Sequence, residues 1–341
     1  MVMNTRKLTL LFTALVGLAA SAFAQSTPNE ATVARVTGTV TATLPDGSTV
    51  TLTEGTKLPQ GATITTGDKS EAYLVNHGDT TSVITANSVV EIAELSTTSA
   101  GGKVTELKTT LDLKSGNLVA KLNPAKKSVN QYSVRTPKGV AAARGTVFTV
   151  SYNGTNYSIA VVNGNVFIQP NTGGYTAGVN IPPGSAYLGE GVGGVGTATE
   201  GFYSISELAA MPGQAAAGWK AELTQLLSVA VATIAVAAEN NIGGTTAAEL
   251  RQVADAVIKA DPAAAPAIAA LVAVSAPTQS QAIINSTAAN APAQSAAVQQ
   301  AVRDSTPTTT TNPTTGQTTT TPQTTGPQPI DPSTVSRSNE E

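Results

Sequence analysis

The stretch Tyr132 to Ile168, YSVRTPKGVAAARGTVFTVSYNGTNYSIAVVNGNVFI, limits what this chain can fold into more than any other. Short runs alternate with breaks at Pro137 to Gly139, Asn153-Gly154 and Asn163-Gly164. Within the runs, Val134, Val147, Thr149, Ser151, Tyr157, Ile159, Val161, Val166 and Ile168 fall at two-residue spacing. That is the period of a strand with one buried face. An Asn-Gly pair supplies the two positive φ angles of a type I′ turn, so both Asn-Gly breaks read as hairpins.

The same texture continues upstream and downstream. Val36, Val40, Ala42 and Leu44 alternate with threonines, and Pro45-Asp46-Gly47 turns the chain into Val50 and Leu52. Leu107, Leu111 and Leu113 alternate with Lys108, Thr110, Asp112 and Lys114, and Gly116 turns into Leu118, Ala120 and Leu122. Asn180 to Leu188, with a Pro182-Pro183-Gly184 turn, closes the pattern. Such evenly spaced short strands predict a mainly β body over 31–188, a solenoid, sandwich or barrel. Periodicity alone does not choose among them.

Within this body, TPKGVAAARGTVFTV resembles the signature of the FecR domain family: Thr136, Pro137, Gly139, Arg144, Gly145, Thr146 and Phe148 stand at its positions. A second run, Leu58, Gly61, Ile64, Thr66-Gly67, Ser70 and Ala72, is similar to another piece of that family, with Ala62 where an Asp is usual. The resemblance spans 31–188 and implies an exported all-β module. For a full regulator of this type it also implies a cytoplasmic anti-sigma segment ahead of a membrane span. Only seven residues precede the apolar run here, so no such segment is expected. Arg144, Gly145, Thr146 and Phe148 are the candidate binding residues. Arg144 could present five donors to a carboxylate, or tie its turn to carbonyls or an internal acid. Its small neighbours, Ala141 to Ala143 and Gly145, favour the fold-making role.

Residues 1–24 read as a signal peptide. Arg6 and Lys7 precede an apolar run from Leu8 to Ala20, and Ala22-Phe23-Ala24 offers a cleavage site before Gln25. The run is shorter than the about 20 residues of a membrane span. The mature chain is therefore expected in the periplasm or outside the cell. No cysteine is present, which excludes disulfides, thiol nucleophiles and Cys-ligated zinc. The formal charge of −3 offers no electrostatic footprint for nucleic acid. His77, the only histidine, falls in a predicted turn and reads as a solvated residue rather than a metal ligand. No G-x-S-x-G or comparable nucleophile pattern occurs. The expectation is a binding or scaffold module of the bacterial envelope with a protein partner, no cofactor, no metal and no catalysis. The alternatives are a signal-transduction regulator working from the periplasm with a separate membrane partner, and an enzyme acting on envelope polymers, for which no catalytic constellation speaks.

Beyond the β body, 189–205 is glycine-rich and reads as a linker. Residues 206–305 form an alanine-rich helical region. Ser206 is a candidate cap, and Trp219 to Ala238 is a helix so apolar that it must be packed or membrane-bound; packing is the expectation. Pro262, Pro277, Pro292 and Pro307 stand fifteen residues apart. Ala267-Ile268, Ala282-Ile283 and Ala297-Val298 recur at fixed distance after the first three. Proline suits the first turn of a helix, so this reads as stacked short helices fading toward the end. The Thr/Pro-rich tail, 306–341, is expected to be disordered, and no integral span is expected in the mature chain.

Overall fold

The computed structural model describes residues 24–154, 157–171, 178–188, 201–204, 207, 214–305, 308–311 and 318–321, with side chains in the first long helix from Lys220 on. Residues 1–23, most of 189–205 and most of 306–341 lie outside the described residues.

Eighteen strands build the β body in two faces of one flattened, closed barrel. The first sheet runs β4 (Thr49–Thr51), β3 (Val40–Thr43), β6 (Thr63–Thr66), β9 (Val89–Ala100), β10 (Lys103–Lys121), β11 (Asn130–Thr136), β12 (Gly139–Ala143), β15 (Val166–Pro170) and β16 (Val179–Ile181). The strand β1 (Gln25–Pro28) lies along the outer half of β9. The second sheet runs β5 (Lys57–Pro59), β2 (Glu30–Thr37), β7 (Glu71–Asn76), β8 (Thr80–Ile84), β10 again, β13 (Val147–Tyr152), β14 (Tyr157–Asn163), β17 (Ser185–Leu188) and β18 (Gly201–Ser204). Neighbours are antiparallel except the parallel pair β10–β11. β10 belongs to both sheets. It bends at the buried Gly116, where φ is +96° and Ser88 leaves no room for a side chain.

From β11 onward the chain lays two strands in one sheet and then crosses to the other. The crossings fall between β12 and β13, β14 and β15, and β16 and β17. This corrects one expectation. Asn153-Gly154 does lie in the β13–β14 hairpin, but Asn163-Gly164 is a corner between sheets. β14 is already flanked by β13 and β17, so β15 cannot pair with it and joins β12 in the opposite sheet.

Two apolar layers hold the molecule. The inner one fills the space between the sheets, where Phe148 meets the ring of Tyr132 edge-on at 6.0 Å and Tyr157 meets Tyr187 at 5.7 Å. The outer one lies on the far side of the second sheet. There Tyr73, Val83, Val119, Val147, Ala160 and Val162 pack against helices. Strands of this sheet are thus buried on both faces, as the run Tyr157–Val162 shows.

Five helices form that outer cover: α1 (Gln214–Glu239), α2 (Ala247–Ala260), α3 (Ala265–Ser275), α4 (Ser280–Asn290) and α5 (Ser295–Ser305). Lys220–Glu239 is long and apolar enough to cross a membrane by length and composition, yet most of it is buried in the protein. Leu223, Leu227, Val231 and Ile234 are at most 1 % exposed. Thr246 and Glu249 cap α2 reciprocally. Pro262, Pro277 and Pro292 each open a short 3-10 turn, Pro262–Ala264, Pro277–Gln279 and Pro292–Gln294, before an eleven-residue helix, and Pro307 lies outside the described residues. The residues before the three turns, Asp261, Ala276 and Ala291, leave helical geometry as a following proline requires. Helices therefore zigzag into two piles: α1, α3 and α5 in one, α2 and α4 in the other. Ile268, Ile283 and Val298, the recurring apolar positions, are fully buried. Asp255 of α2 accepts hydrogen bonds from Ser286 and Asn290 of α4, tying one pile.

Two linker-region expectations change. Gly201–Ser204, placed in the linker by composition, adds to the sheet beside β17 because its alternating Phe202 can reach Tyr187, 5.2 Å away. The cap of Glu207 is Ser204: the Glu207 amide donates to Ser204 Oγ at 3.2 Å and its carboxylate accepts from the Ser204 amide at 2.7 Å. Ser206 lies outside the described residues. Within the tail, Thr308–Thr311 pairs with Thr318–Thr321 as a separate two-stranded sheet.

Candidate functional site

The family-like signature is built around one corner. Thr136 Oγ1 accepts from the Lys138 amide and donates to the Gly139 carbonyl, both at 3.2 Å, which closes the β11–β12 turn. β12 is then made of alanines up to Ala143, and the chain leaves the first sheet at Gly145. Gly145 has φ +72°, and a Cβ there would sit 2.7 Å from Pro124 Cα. Both facts require glycine. Thr146 is buried and donates to the Asn165 carbonyl at 3.1 Å, joining this corner to the next. Phe148 is fully buried between the sheets. Three of the four candidate residues, Gly145, Thr146 and Phe148, therefore make the fold.

Arg144 does not. The reading that it ties the turn to carbonyls or an internal acid is corrected: its side chain is exposed and makes no hydrogen bond or ion pair among the described residues. The corner explains this. Ala141 and Ala143 point inward from β12, Gly145 turns away beneath Pro124, and the residue between them is left pointing outward.

Arg144 stands at a groove of about 680 Å³ on the outer face of the first sheet, which none of the five α-helices covers among the described residues. Strand register accounts for its shape. One cross-strand rank runs Thr110, Ser133, Ala142, Phe167, Asn180 over β10, β11, β12, β15 and β16. Small side chains, Thr110, Ser133 and Ala142, form the floor, and Ser133 donates to Thr110 at 3.1 Å. Phe167, 44 % exposed, rises at one side. Lys108 and Lys127 join Arg144 in the lining, and no Asp or Glu does. Among the described residues only Lys108 of the three cations has a carboxylate partner, Glu94 at 3.1 Å. The neighbouring rank is neutralised, since Arg135 grips Asp112 with two hydrogen bonds, one at 2.9 Å.

His77 is tied to a lining residue through the Lys108 backbone carbonyl, and it corrects another expectation. It is half-buried rather than solvated. Its Nδ1 accepts from Asn29 Nδ2 at 3.0 Å, and its Nε2–H donates to the Lys108 carbonyl at 3.2 Å. Burial holds its pKa below the usual value. Asp46 caps its turn through the Ser48 amide at 2.9 Å, as expected for an Asp before glycine. Asp79 instead pairs with Lys126 at 2.9 Å. Among the described residues no group of three His, Asp or Glu side chains is placed to hold a metal ion.

Sequence reasoning found Arg144 but missed the groove, because Lys108, Lys127, Phe167 and Asn180 come from four separated segments. Only their strand register brings them together.

A family model described as FecR protein matches residues 62–167, which include the corner, Arg144 and most of the groove. The curated proteins give no match. Two crystal structures of a candidate anti-sigma factor from Parabacteroides distasonis ATCC 8503, at 1.65 and 2.50 Å resolution, are similar at a TM-score of 0.31 and 11 % identity. The similarity covers 41 % of this chain and 57 % of theirs, so the chain spans less than two thirds of the length of the structures it matches.

Proposed function

We propose that this chain, which carries a FecR domain over residues 62–167, is a regulatory binding module for signal transduction in the bacterial envelope, and that its groove on the first sheet receives a partner protein. In this reading the signal peptide is cleaved before Gln25, the mature protein works in the periplasm or outside the cell, and it binds without catalysis. The observation that carries the reading is Arg144. Its guanidinium, carried on a corner of small residues beside two lysines, is exposed and has no hydrogen bond or ion pair among the described residues. The corner fixes the Arg144 backbone, and its planar guanidinium fork, not spent on any internal acid among the described residues, is available to a ligand. The helices have a different part. They cover the second sheet, and among the described residues no helix of the array packs on the first, so that face is the one offered to a partner.

The test is a photo-crosslinking amino acid placed in living cells at Gln131, on the groove, and at Gln281, exposed on α4. A discrete protein adduct at Gln131, absent at Gln281 and diminished by Arg144→Ala, is expected. Equal adducts at both positions, or a groove adduct indifferent to Arg144→Ala, would overturn the proposal.

A further inference from the structure

We infer that the groove takes an extended acidic peptide segment, laid across the strands with a carboxylate on Arg144 and an apolar side chain on Phe167. This inference rests on the docking reading given above and names the chemistry of what docks. Three observations carry it.

The first is charge. The chain has more acidic than basic residues, 22 against 19, yet the groove gathers Lys108, Lys127 and Arg144 with no carboxylate in its lining. Two of these cations, Lys127 and Arg144, have no acidic partner among the described residues. An occupant with carboxylates neutralises them, and a guanidinium fork fits a carboxylate in two parallel hydrogen bonds.

The second is shape. The rank from Thr110 to Asn180 crosses five strands. Adjacent strands lie about 4.8 Å apart, so the floor is about 19 Å long. An extended chain advances about 3.3 Å per residue, which makes this the length of roughly six residues. A single small anion would leave most of it empty.

The third is the mixture of groups. Thr110, Ser133, Asn165 and Asn180 offer hydrogen-bonding side chains along the floor and rim, suited to peptide carbonyls and amides. Among the described residues Phe167 is the one aromatic ring exposed there, enough to receive one apolar side chain. It does not make the successive stacking platforms that a sugar polymer uses. A peptide is favoured over an anionic polysaccharide on that ground.

The experiment is fluorescence anisotropy with the full mature chain and three labelled probes: a hexapeptide of Glu and Phe, the same peptide with Gln for every Glu, and a uronic-acid hexasaccharide. The acidic peptide is expected to bind, more weakly as salt is raised, with the Gln peptide roughly tenfold or more weaker. Arg144→Ala is expected to weaken it by a similar factor. Ala142→Phe, which fills the floor between Ser133 and Phe167, is expected to abolish it. Both variants should melt as wild type. Binding of the saccharide in place of the peptide overturns the inference, as does acidic-peptide binding that survives both substitutions. No binding by any probe also overturns it. In that last case an Arg144-dependent crosslink at Gln131 leaves the docking site standing and removes only its acidic-peptide ligand, whereas loss of the crosslink removes both.

Discussion

Lys121 Nζ lies 3.3 Å from Glu249 Oε1, and this ion pair joins the β body to the helical cover. Lys121 is at the end of β10, 5 % exposed, on the outer face of the second sheet. Glu249 is the acid of the α2 capping box, and Lys121 also donates to the Gly243 carbonyl at 3.4 Å. The two partners are unequal. Glu249 is about one third exposed and can turn to water, whereas Lys121 cannot.

That asymmetry gives the first prediction. Glu249→Ala strands a buried ammonium and removes the carboxylate half of the capping box, leaving the Thr246 cap, and should cost roughly 3 kcal/mol in urea unfolding. Lys121→Met replaces the ammonium by an apolar chain of similar length and should cost less than about 1 kcal/mol. Equal losses would show that the pair holds no more than its exposed partner alone.

A second prediction separates the two neighbours at the corner. Gly145→Val puts a Cβ against Pro124 at φ +72°, so it should lose several kcal/mol or fail to fold. Arg144→Ala should stay within about 0.5 kcal/mol of wild type in the same melts. Substantial destabilisation by Arg144→Ala would return that residue to the fold.

The third concerns Glu222 of α1, which accepts a hydrogen bond from Ser158 Oγ at 2.7 Å at the helix–sheet boundary. Burial raises its pKa above the ordinary 4.5, with the Ser158 bond opposing the shift. The folded state therefore holds the proton more tightly than the unfolded one. This stabilisation is complete below the unfolded value and is lost as pH rises through the folded value. Glu222→Gln keeps the acceptor without the charge. It should raise the melting temperature at neutral pH and lose that advantage at pH below the ordinary carboxylate range.

His77 gives the opposite slope. Its folded pKa lies below 6.5 because burial disfavours the charged ring, so its contribution is present above 6.5 and declines as pH falls toward the folded value. A charged ring would also bring a proton to Nδ1, where Asn29 donates. Wild type should lose stability through this window, and His77→Gln should flatten the dependence. Parallel melting curves of the two proteins between neutral and mildly acid pH measure it.

Removal of the helices gives the fifth prediction. A chain ending at Ser204 exposes Tyr73, Val83, Val119, Val147, Ala160 and Val162 together on one face. It should bind a hydrophobic dye strongly and self-associate in size-exclusion chromatography. A monomeric, dye-silent fragment would mean that the second sheet tolerates water on that face.

Much of this was legible in the residues. The strand period of β3, β11 and β15, with burial alternating along each, gave the β body its elements, and the fifteen-residue proline spacing gave the helices theirs. The relation between the two regions was harder to read. Alternation marks a sheet with one wet face, but Tyr157–Val162 carries apolar residues on both faces, a mark of a covered strand hidden among alternating ones. Asn163-Gly164 misled for a related reason. Asn-Gly specifies a reversal of the chain, and nothing local says whether the returning strand joins the same sheet or the other. The groove was out of reach because it depends on register across five strands, and pairing between distant segments leaves no trace in either of them.

The two piles of helices have a consequence for length. Each helix rests on the one two places before it, so a helix's pile is decided by whether its number is odd or even. Insertion of one fifteen-residue unit after α2 would send every later helix to the opposite pile and set α3 where α4 now meets Asp255. Insertion of thirty residues would restore the alternation. Growth or loss inside this array is therefore constrained by parity, and whole zigzags, rather than single helices, are its natural unit of change.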